Sequence, residues 1–454
     1  MNPPYDVVVV GARVAGSALA LRLARAGARV CVVDRAVFPS PTISTHVLHT
    51  VTPLRELGVL DAVLASGAPL LRETRFLIEG VRLTVPQEHD PGLCPRRESL
   101  DTTLMAAAAQ AGADVRCGVR MLEVLRHSGG AVRGVLVERE GGRRVELSAP
   151  VVIGADGRNS AVGRAVGARR YLVTSAPRPA FYSYFEGVTA PQALVWHRLG
   201  DHLVAGAPTD AGQFLTLAQP SPHVTPKLRA DDGHRFAEFV AECSPELGEL
   251  LAGARPVGEV RRMPAYQCYF RESAGAGWAL LGDAGHFKDV TPGQGINDAL
   301  RQAERLAGAL LYGLSHPAHL AGALHAYWVW RDADARGMYW FGFDLGRSGP
   351  QPELVVDMLR SISRRTRDLH LLHEVLAHRS SPSKLLSPGR LLSVTAAQLR
   401  NGPMPARAAL AQMASLAATD LRRRLAAVRR LAEAPGGSAP AVPEAVSRPE
   451  HIYS

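Results

Sequence analysis

Lysine is almost missing from these 454 residues: of 52 cationic side chains only Lys227, Lys288 and Lys384 are lysine, and the rest are arginine. Codon-usage bias produces such a skew, so it carries no function by itself. The formal net charge of +10 suits acidic ligands, but no basic block is interleaved with aromatics, which argues against nucleic acid as a partner. Cysteine is scarce and scattered. Cys31, Cys94, Cys117, Cys243 and Cys268 are odd in number and form no CxxC pair, which excludes a zinc site of that kind and a disulfide framework and leaves reduced thiols in a cytoplasm. No metal is expected. Long apolar runs are absent too: Arg13, Arg22 and Arg25 interrupt the first one, so neither a signal peptide nor a membrane span is readable, and a soluble cytoplasmic protein is expected. No internal repeat is visible. What is plentiful is core material: 46% hydrophobic against 21% charged residues is globular composition, and the length allows two or three domains.

Val7 to Val10 is a β-branched run ended by Gly11. Ser17 to Ala26 then recurs apolar at helical spacing, and Val30 to Val33 follows Gly27. This βαβ pattern, with strands apolar on both faces, predicts a parallel sheet covered on each side. Leu100 to Ala111 reads as a helix leading into the strand Asp114 to Cys117, and Met121 to Leu125, Val132 to Arg139 and Arg143 to Leu147 as a small meander. Val151 to Ile153 returns to the buried parallel type. From Pro179 to Gln219 the alternation of FYSYFEGV, ALVWHRLG, HLVAGAP and QFLTLAQ predicts an antiparallel sheet. Helices are expected from about Gly233 to Leu251, a strand at Val257 to Met263, and then Trp278 to Leu281 back in the first sheet. Helices dominate beyond Gly295, and the last twenty residues have the Pro/Ser/Gly content of a disordered tail.

Three segments carry chemistry. In the first, GARVAG between strand and helix, with Asp34 lying 23 residues after Gly11, is a dinucleotide-binding arrangement. A helix N-terminus faces a pyrophosphate and a carboxylate meets the adenosine ribose. Arg13 stands where a glycine is usual, so its guanidinium either points outward or lies beside the phosphates; the latter is expected. In the second, VVIGADGRNSAVGRAVG, a buried strand runs into a turn with Asp156, with Ser160 and Arg164 beyond. In the third, WALLGDAGHFKDVTPGQGINDAL, a buried strand ends in Gly282-Asp283 before a glycine-rich loop and a helix starting near Gly295.

These segments in this order, with RRESLDTTL between the first two, resemble the FAD-dependent aromatic hydroxylase superfamily typified by para-hydroxybenzoate hydroxylase, with geranylgeranyl reductases and flavin-dependent halogenases as relatives. The resemblance spans roughly residues 5 to 345. It implies an α/β fold: a Rossmann-like FAD-binding domain from residues 1–70, 92–170 and 274–345, with a parallel sheet and small meander. An antiparallel-sheet substrate domain comes from 71–91 and 171–273, then a helical region over 346–433 and a tail over 434–454. It further implies that Gly11, Val14, Ala15 and Gly16 hold the FAD pyrophosphate, Asp34 with Arg35 beside it the adenosine ribose, Arg97 the phosphate or ribityl side and Asp283 the ribityl chain. Asp156 organises FAD and the incoming nicotinamide. The loop Pro292 to Asn297, with Gly293, Gly295, Ile296 and Asn297, aims free N–H groups at the reduced flavin's negative charge. The family usually has proline where this chain has Val290, with Pro292 two residues later, so both are candidates beside the flavin.

His46, in STHVLH, is a candidate flavin or substrate contact, His49 a weaker one, and His286 a support for the loop. Tyr182, Tyr184 and Trp196 fall on strands that floor a substrate cavity, although alternation does not say which face meets the ligand. Trp328, Trp330, Tyr339, Trp340 and Phe341 read as helix docking. Leu421, Leu425 and Val428 make an apolar stripe among Arg422, Arg423, Arg424, Arg429 and Arg430. That stripe is expected to pack on the rest of the protein, the competitor being an anionic membrane or nucleic acid. The activity implied first is monooxygenation: NAD(P)H reduces FAD, O2 forms a C4a-hydroperoxide, and an apolar or aromatic biosynthetic intermediate is hydroxylated or epoxidised. The second is carbon–carbon double-bond reduction, and a third class is a non-catalytic escort protein. Halogenation is disfavoured because no lysine precedes Lys227 and Trp328-Val329-Trp330 continues into Arg331-Asp332. The oligomeric state is open.

Overall fold

The computed structural model describes residues 5–176, 178–224, 228 and 233–433, with side chains described to 425; the 434–454 tail lies outside the described residues and Val428 outside the described side chains. Strands Val7–Val10, Val30–Asp34, Asp114–Cys117, Val151–Gly154 and Trp278–Leu280 run parallel, and the edge piece Ala274–Gly275 runs antiparallel. The order is 274–275, 278–280, 151–154, 7–10, 30–34, 114–117. The β-branched residues of Val7–Val10, Val30–Asp34 and Val151–Gly154 are buried on both faces. Helices Val14–Arg25, Arg97–Gln110 and Gly295–Ser315 close over Val7, Val9 and Ile153 on one side. The meander Arg120–Arg126, Val132–Glu138 and Arg144–Ser148 closes over Val8, Val10 and Val152 on the other.

Register then aligns the motifs. Val10 pairs with Val33 and with Gly154, and Gly154 pairs with Leu280. Gly11, Asp34, Asp156 and Asp283 therefore all leave the sheet along its carboxyl edge, on both sides of the strand where the connection order reverses. That crevice is where open α/β sheets bind ligands.

The second sheet has seven strands, in the order Arg255–Met263, Ala180–Glu186, Phe214–Gln219, His202–Pro208, Ala193–Leu199, Glu73–Ile78, Val81–Pro86. Alternation separates its faces. Phe181, Phe185, Val195 and Phe214 pack on Phe236, Phe239 and Leu247 of helices Gly233–Cys243 and Pro245–Leu251, each buried ring contributing about 1.5–3 kcal/mol. Tyr182, Leu194, Trp196, Leu203 and Leu215 face the other way, toward the C-terminal helices. The sequence reading runs from Met263 directly back to the first sheet. The chain instead makes a third, small sheet in which Tyr266–Arg271 pairs with Arg170–Ala176 and His286–Phe287. Tyr171, Tyr269 and Phe270 bring aromatic bulk to it without the clean alternation of a half-wet strand.

The helices Leu320–Gly346, Glu353–Ser363, Thr366–Leu376, Pro388–Asn401 and Ala406–Glu433 follow. The last of them docks through Arg423, which ion-pairs with Asp344 at 2.6 Å and lies 4.2 Å over the Trp340 ring. Leu421 and Leu425 are more than half exposed, so the expected packing of that stripe is corrected: the wheel turns the arginine inward and the leucines outward. No helix among the described residues is long and apolar enough to cross a membrane.

Candidate functional site

At the end of the first strand Gly11 has φ +110°, and a Cβ there would come within 2.4 Å of the Ala155 carbonyl oxygen; at Gly16 it would come within 1.8 Å of the Gly11 carbonyl oxygen. Both glycines are thus required for strand, turn and helix to approach. The helix Val14–Arg25 starts directly behind, with no side-chain cap and no acidic residue in its first turn. The N–H groups of Val14, Ala15 and Gly16 have no intrahelical acceptor and face the crevice as an anion site.

Arg13 does not stand over that site. Its guanidinium pairs with Asp101 at 2.7 Å, donates to the Ser40 and Pro41 carbonyls at 3.2 Å, and lies 5.3 Å from the Phe38 ring centroid. Asp101 is fully buried and also receives Arg97, four residues earlier on the same helix, at 2.8 Å. One carboxylate thus holds two guanidinium groups, leaving a net positive charge at the crevice. Asp34 accepts from the Ala12 N–H through one oxygen and from the Ala36 N–H through the other, both at 2.8 Å, so it locks the turn and keeps one lone pair on each oxygen. Arg35 beside it is exposed.

Asp156 accepts from the N–H groups of Ala161 and Val162 at 2.6 and 3.1 Å. Its other oxygen is buried without a partner, and burial pushes its carboxyl up. The Asp283 side chain has no hydrogen-bond partner among the described residues. Burial raises it to about 6, against the pull of the Arg97 guanidinium. The unpaired Asp156 oxygen and the Asp283 carboxylate, beside an open helix N-terminus and the Arg13 and Arg97 guanidinium groups, form a cradle for a ligand with hydroxyl groups and an anion.

The 290–293 turn sits deeper. Gly293 donates to the Val290 carbonyl at 2.9 Å. Trp196 donates from its indole nitrogen to the Thr291 carbonyl at 3.3 Å, and His49 from Nε2 to the Pro292 carbonyl at 2.7 Å. Asn297 accepts from the His49 N–H at 3.0 Å and donates to the Thr50 carbonyl at 3.3 Å. The helix Gly295–Ser315 begins with no side-chain cap, Ile296 is buried, and open space lies where a Gly295 side chain would be. Burial holds His49 near 4 and, with Arg97, His46 near 3, so both are neutral.

His46 has φ +63°, which is strained for a non-glycine residue. Its Nε2 meets the Tyr184 hydroxyl at 2.8 Å while Nδ1 is buried without a partner. Tyr182 donates to the Thr42 carbonyl at 3.1 Å and packs edge-on against the His46 ring. Thr45, Val47 and His49 line an apolar cavity, whereas His46 and the two tyrosines do not. Trp196, Leu194 and Leu217 of the large sheet form one wall of the cavity and Phe341 and Leu345 another. Val355, Leu359, Leu372, Leu376 and Leu385 close it, and Val290, Pro292 and Gly293 form its inner end.

A buried network absent from the sequence reading ties this inner end to the closing helices. Asp298 takes Lys288 on one oxygen and His378 at 2.9 Å on the other. Burial opposes its ionisation, but the Lys288 ammonium and His378 hold it well below the usual carboxylate range. Gln294 donates to the Leu376 carbonyl at 2.8 Å and accepts from Lys288 at 3.3 Å. Only the Arg97–Asp101 pair, at i,i+4 spacing on a legible helix, had a sequence signal.

Fold and cradle define a nucleotide-binding α/β enzyme, and comparison with known proteins gives the class: residues 4–327 match the FAD binding domain family. The chain belongs to that family and is a flavin-dependent oxidoreductase. It is 30% identical over 338 residues to menaquinone reductase of Mycolicibacterium smegmatis, covering 68% of this chain and 77% of that protein. It is 28% identical over 278 residues to aklavinone 12-hydroxylase RdmE of Streptomyces purpurascens, covering 56% of this chain and about half, 51%, of the hydroxylase. Among solved structures, PqsL of Pseudomonas aeruginosa, a probable FAD-dependent monooxygenase, superposes with a TM-score of 0.63 at 21% identity over 81% of this chain and 98% of that one. That likeness concerns the fold. The orphaned acceptor of Asp156, the Asp283 carboxylate and the uncapped helix fit the flavin nucleotide.

Proposed function

We propose that this chain is an FAD-dependent monooxygenase that takes electrons from NAD(P)H and places one atom of O2 on an apolar, aromatic or polyketide-like biosynthetic intermediate. The observation that carries the reading is an apolar cavity lined by Val290, Thr291, Pro292 and Gly293, the turn that leads directly into the helix Gly295–Ser315. In this reading the N–H groups of Val14, Ala15 and Gly16, behind Gly11, hold the pyrophosphate, and Arg13 supports that turn from the side through Asp101. Asp34 and Arg35 meet the adenosine ribose, Arg97 and Asp283 the ribityl side, and Asp156 the region where a nicotinamide approaches. When bound, FAD supplies hydride acceptance and oxygen activation.

The protein's own part is positioning and exclusion. The N–H groups of Gly295, Ile296 and Asn297 stabilise negative charge by about 0.3–1 kcal/mol, more when buried. Trp196 and His49 fix the turn that carries Val290 and Pro292, so the inner end of the cavity keeps its shape. His49 does this as a neutral donor and adds no charge that would draw water. The alkyl walls hold an apolar substrate and keep the reacting end dry. Beside the 42–49 stretch, the His46–Tyr184 pair is a neutral hydrogen bond at 2.8 Å.

A second reading, reduction of an isolated carbon–carbon double bond, is supported by the alkyl side chains of Val355, Leu359, Leu372, Leu376 and Leu385 in the cavity wall and by the likeness to a menaquinone reductase. The two are separated by supplying labelled dioxygen, NADPH and a panel of polycyclic aromatic and isoprenoid compounds. Label in the product supports monooxygenation. A reduced product formed without oxygen supports the reductase.

A further inference from the structure

The helices Pro388–Asn401 and Ala406–Glu433 pack on each other and on Glu353–Ser363 around Leu354, Met358 and Val394, yet each presents a second apolar stripe to the outside. Along the last helix Leu410, Ala414, Ala417, Leu421 and Leu425 are all exposed, at spacings that place them on one face. That face is opposite Ala409 and Arg423, which point inward. On the preceding helix Leu392, Ala396 and Leu399 are exposed while Val394 and Gln398 are buried. Six of the exposed large apolar side chains of the described residues, Leu386 to Leu425, lie in this module.

Charge selects the occupant. Between residues 384 and 425 Asp420 is the sole carboxylate, against Lys384, Arg390, Arg400, Arg407, Arg422, Arg423 and Arg424. Asp368, Asp344 and Asp420 pair with Arg390, Arg423 and Arg424, leaving the flanks of the stripes cationic. A second copy of the same face would set arginine against arginine. A leucine stripe edged by arginine instead matches an anionic lipid surface, with leucines in the acyl boundary and arginines among the headgroups. The helices are too polar to span a bilayer, so the module lies on it.

We propose that this C-terminal module docks the protein on anionic membranes. Leu386, exposed at the start of the stripe, also lines the large cavity, as do Leu385, Val355 and Leu359 of the same module. A docked face that reaches Leu386 would deliver an apolar substrate from the bilayer to the mouth of that cavity. That route rests on the cavity reading of the preceding section, whereas the docking does not.

The test is flotation of the full-length holoprotein with vesicles of phosphatidylcholine alone or mixed with phosphatidylglycerol, at low and physiological salt. The expected result is binding to the anionic vesicles, weaker by about ten-fold or more on neutral ones, reduced by salt, and lost in the double variant Leu421→Gln/Leu425→Gln at unchanged flavin content. A milder variant, Leu392→Gln, is expected to weaken binding in part. Absence of binding to anionic vesicles overturns the proposal, as does binding indifferent to the leucine changes. So does sedimentation showing a wild-type dimer that the double variant dissolves, or DNA capture by the same face without vesicle binding. Flavin content and oxygen reactivity are read on the same samples, so failure of docking and failure of the flavin reading are distinguishable.

Discussion

Arg13 and Asp101 are joined by a 2.7 Å ion pair that crosses from the start of one helix to the second turn of another. Asp101 is fully buried and Arg13 about a quarter exposed. Removing the carboxylate strands two cations, Arg13 and Arg97, at a site already positive, whereas removing Arg13 leaves Asp101 with Arg97. Asp101→Ala is therefore expected to cost about 3–5 kcal/mol and most of the bound flavin, and Arg13→Ala distinctly less. Urea unfolding and flavin content after gel filtration decide; equal costs would show that the two arginines do not share the carboxylate.

Asp283 ionises reluctantly in the ligand-free protein, at about 6, against an ordinary carboxylate range near 4. A folded-state value raised above the unfolded one gives stability that is complete below the unfolded value and is lost as pH rises through the folded one. Between pH 4 and 7 ligand-free wild type should thus lose up to about 3 kcal/mol from this group, and Asp283→Asn should not. Parallel pH profiles for the two proteins would contradict it. Asp283→Ala is expected to cut flavin occupancy sharply.

Asp298 is the hub of the buried network, and its two partners are not equivalent. Without Lys288 the carboxylate retains its contact with His378 at 2.9 Å. Without Asp298 the Lys288 ammonium is buried beside a neutral amide. Asp298→Ala is expected to destabilise by about 3–5 kcal/mol and Lys288→Met by less. Denaturant midpoints at constant m-value rank them, and the reverse order refutes the assignment of the hub.

Gly11 combines a positive φ with a backbone contact that no side chain can share. Gly11→Ala should cost more than about 3 kcal/mol and yield little soluble protein. A stable, flavin-free variant would mean that the glycine serves the ligand alone.

Much of the crevice was legible in the sequence because it is built from local patterns: a β-branched run, a glycine turn and a carboxylate at each strand end. The register that sets Gly11, Asp34, Asp156 and Asp283 along one edge adds what no single segment contains. Legibility fails where contacts join distant segments without a spacing rule. Arg13 and Asp101 come from different motifs, Lys288 and Asp298 flank a loop, and the leucines that close the cavity look like ordinary helix residues. His46 illustrates the same limit. The sequence marks it beside the flavin loop; Thr45, Val47 and His49 line the cavity, whereas His46, at φ +63°, meets the distant Tyr184. The outward turn of Leu421 and Leu425 follows from Arg423 binding Trp340 and Asp344, a tertiary choice that the helical wheel leaves open.

Oxygenation and double-bond reduction would use the same cradle and the same cavity, so the fate of the reduced cofactor separates them most directly. The holoprotein, photoreduced without oxygen, is mixed in a stopped-flow instrument with aerated buffer, with and without apolar aromatic compounds. The account expects an oxygen-dependent absorbance transient that forms before oxidised flavin returns, and that lasts longer when the cavity is filled. Single-step return of oxidised flavin under every condition, together with reduction of an isoprenoid double bond in the absence of oxygen, would contradict it.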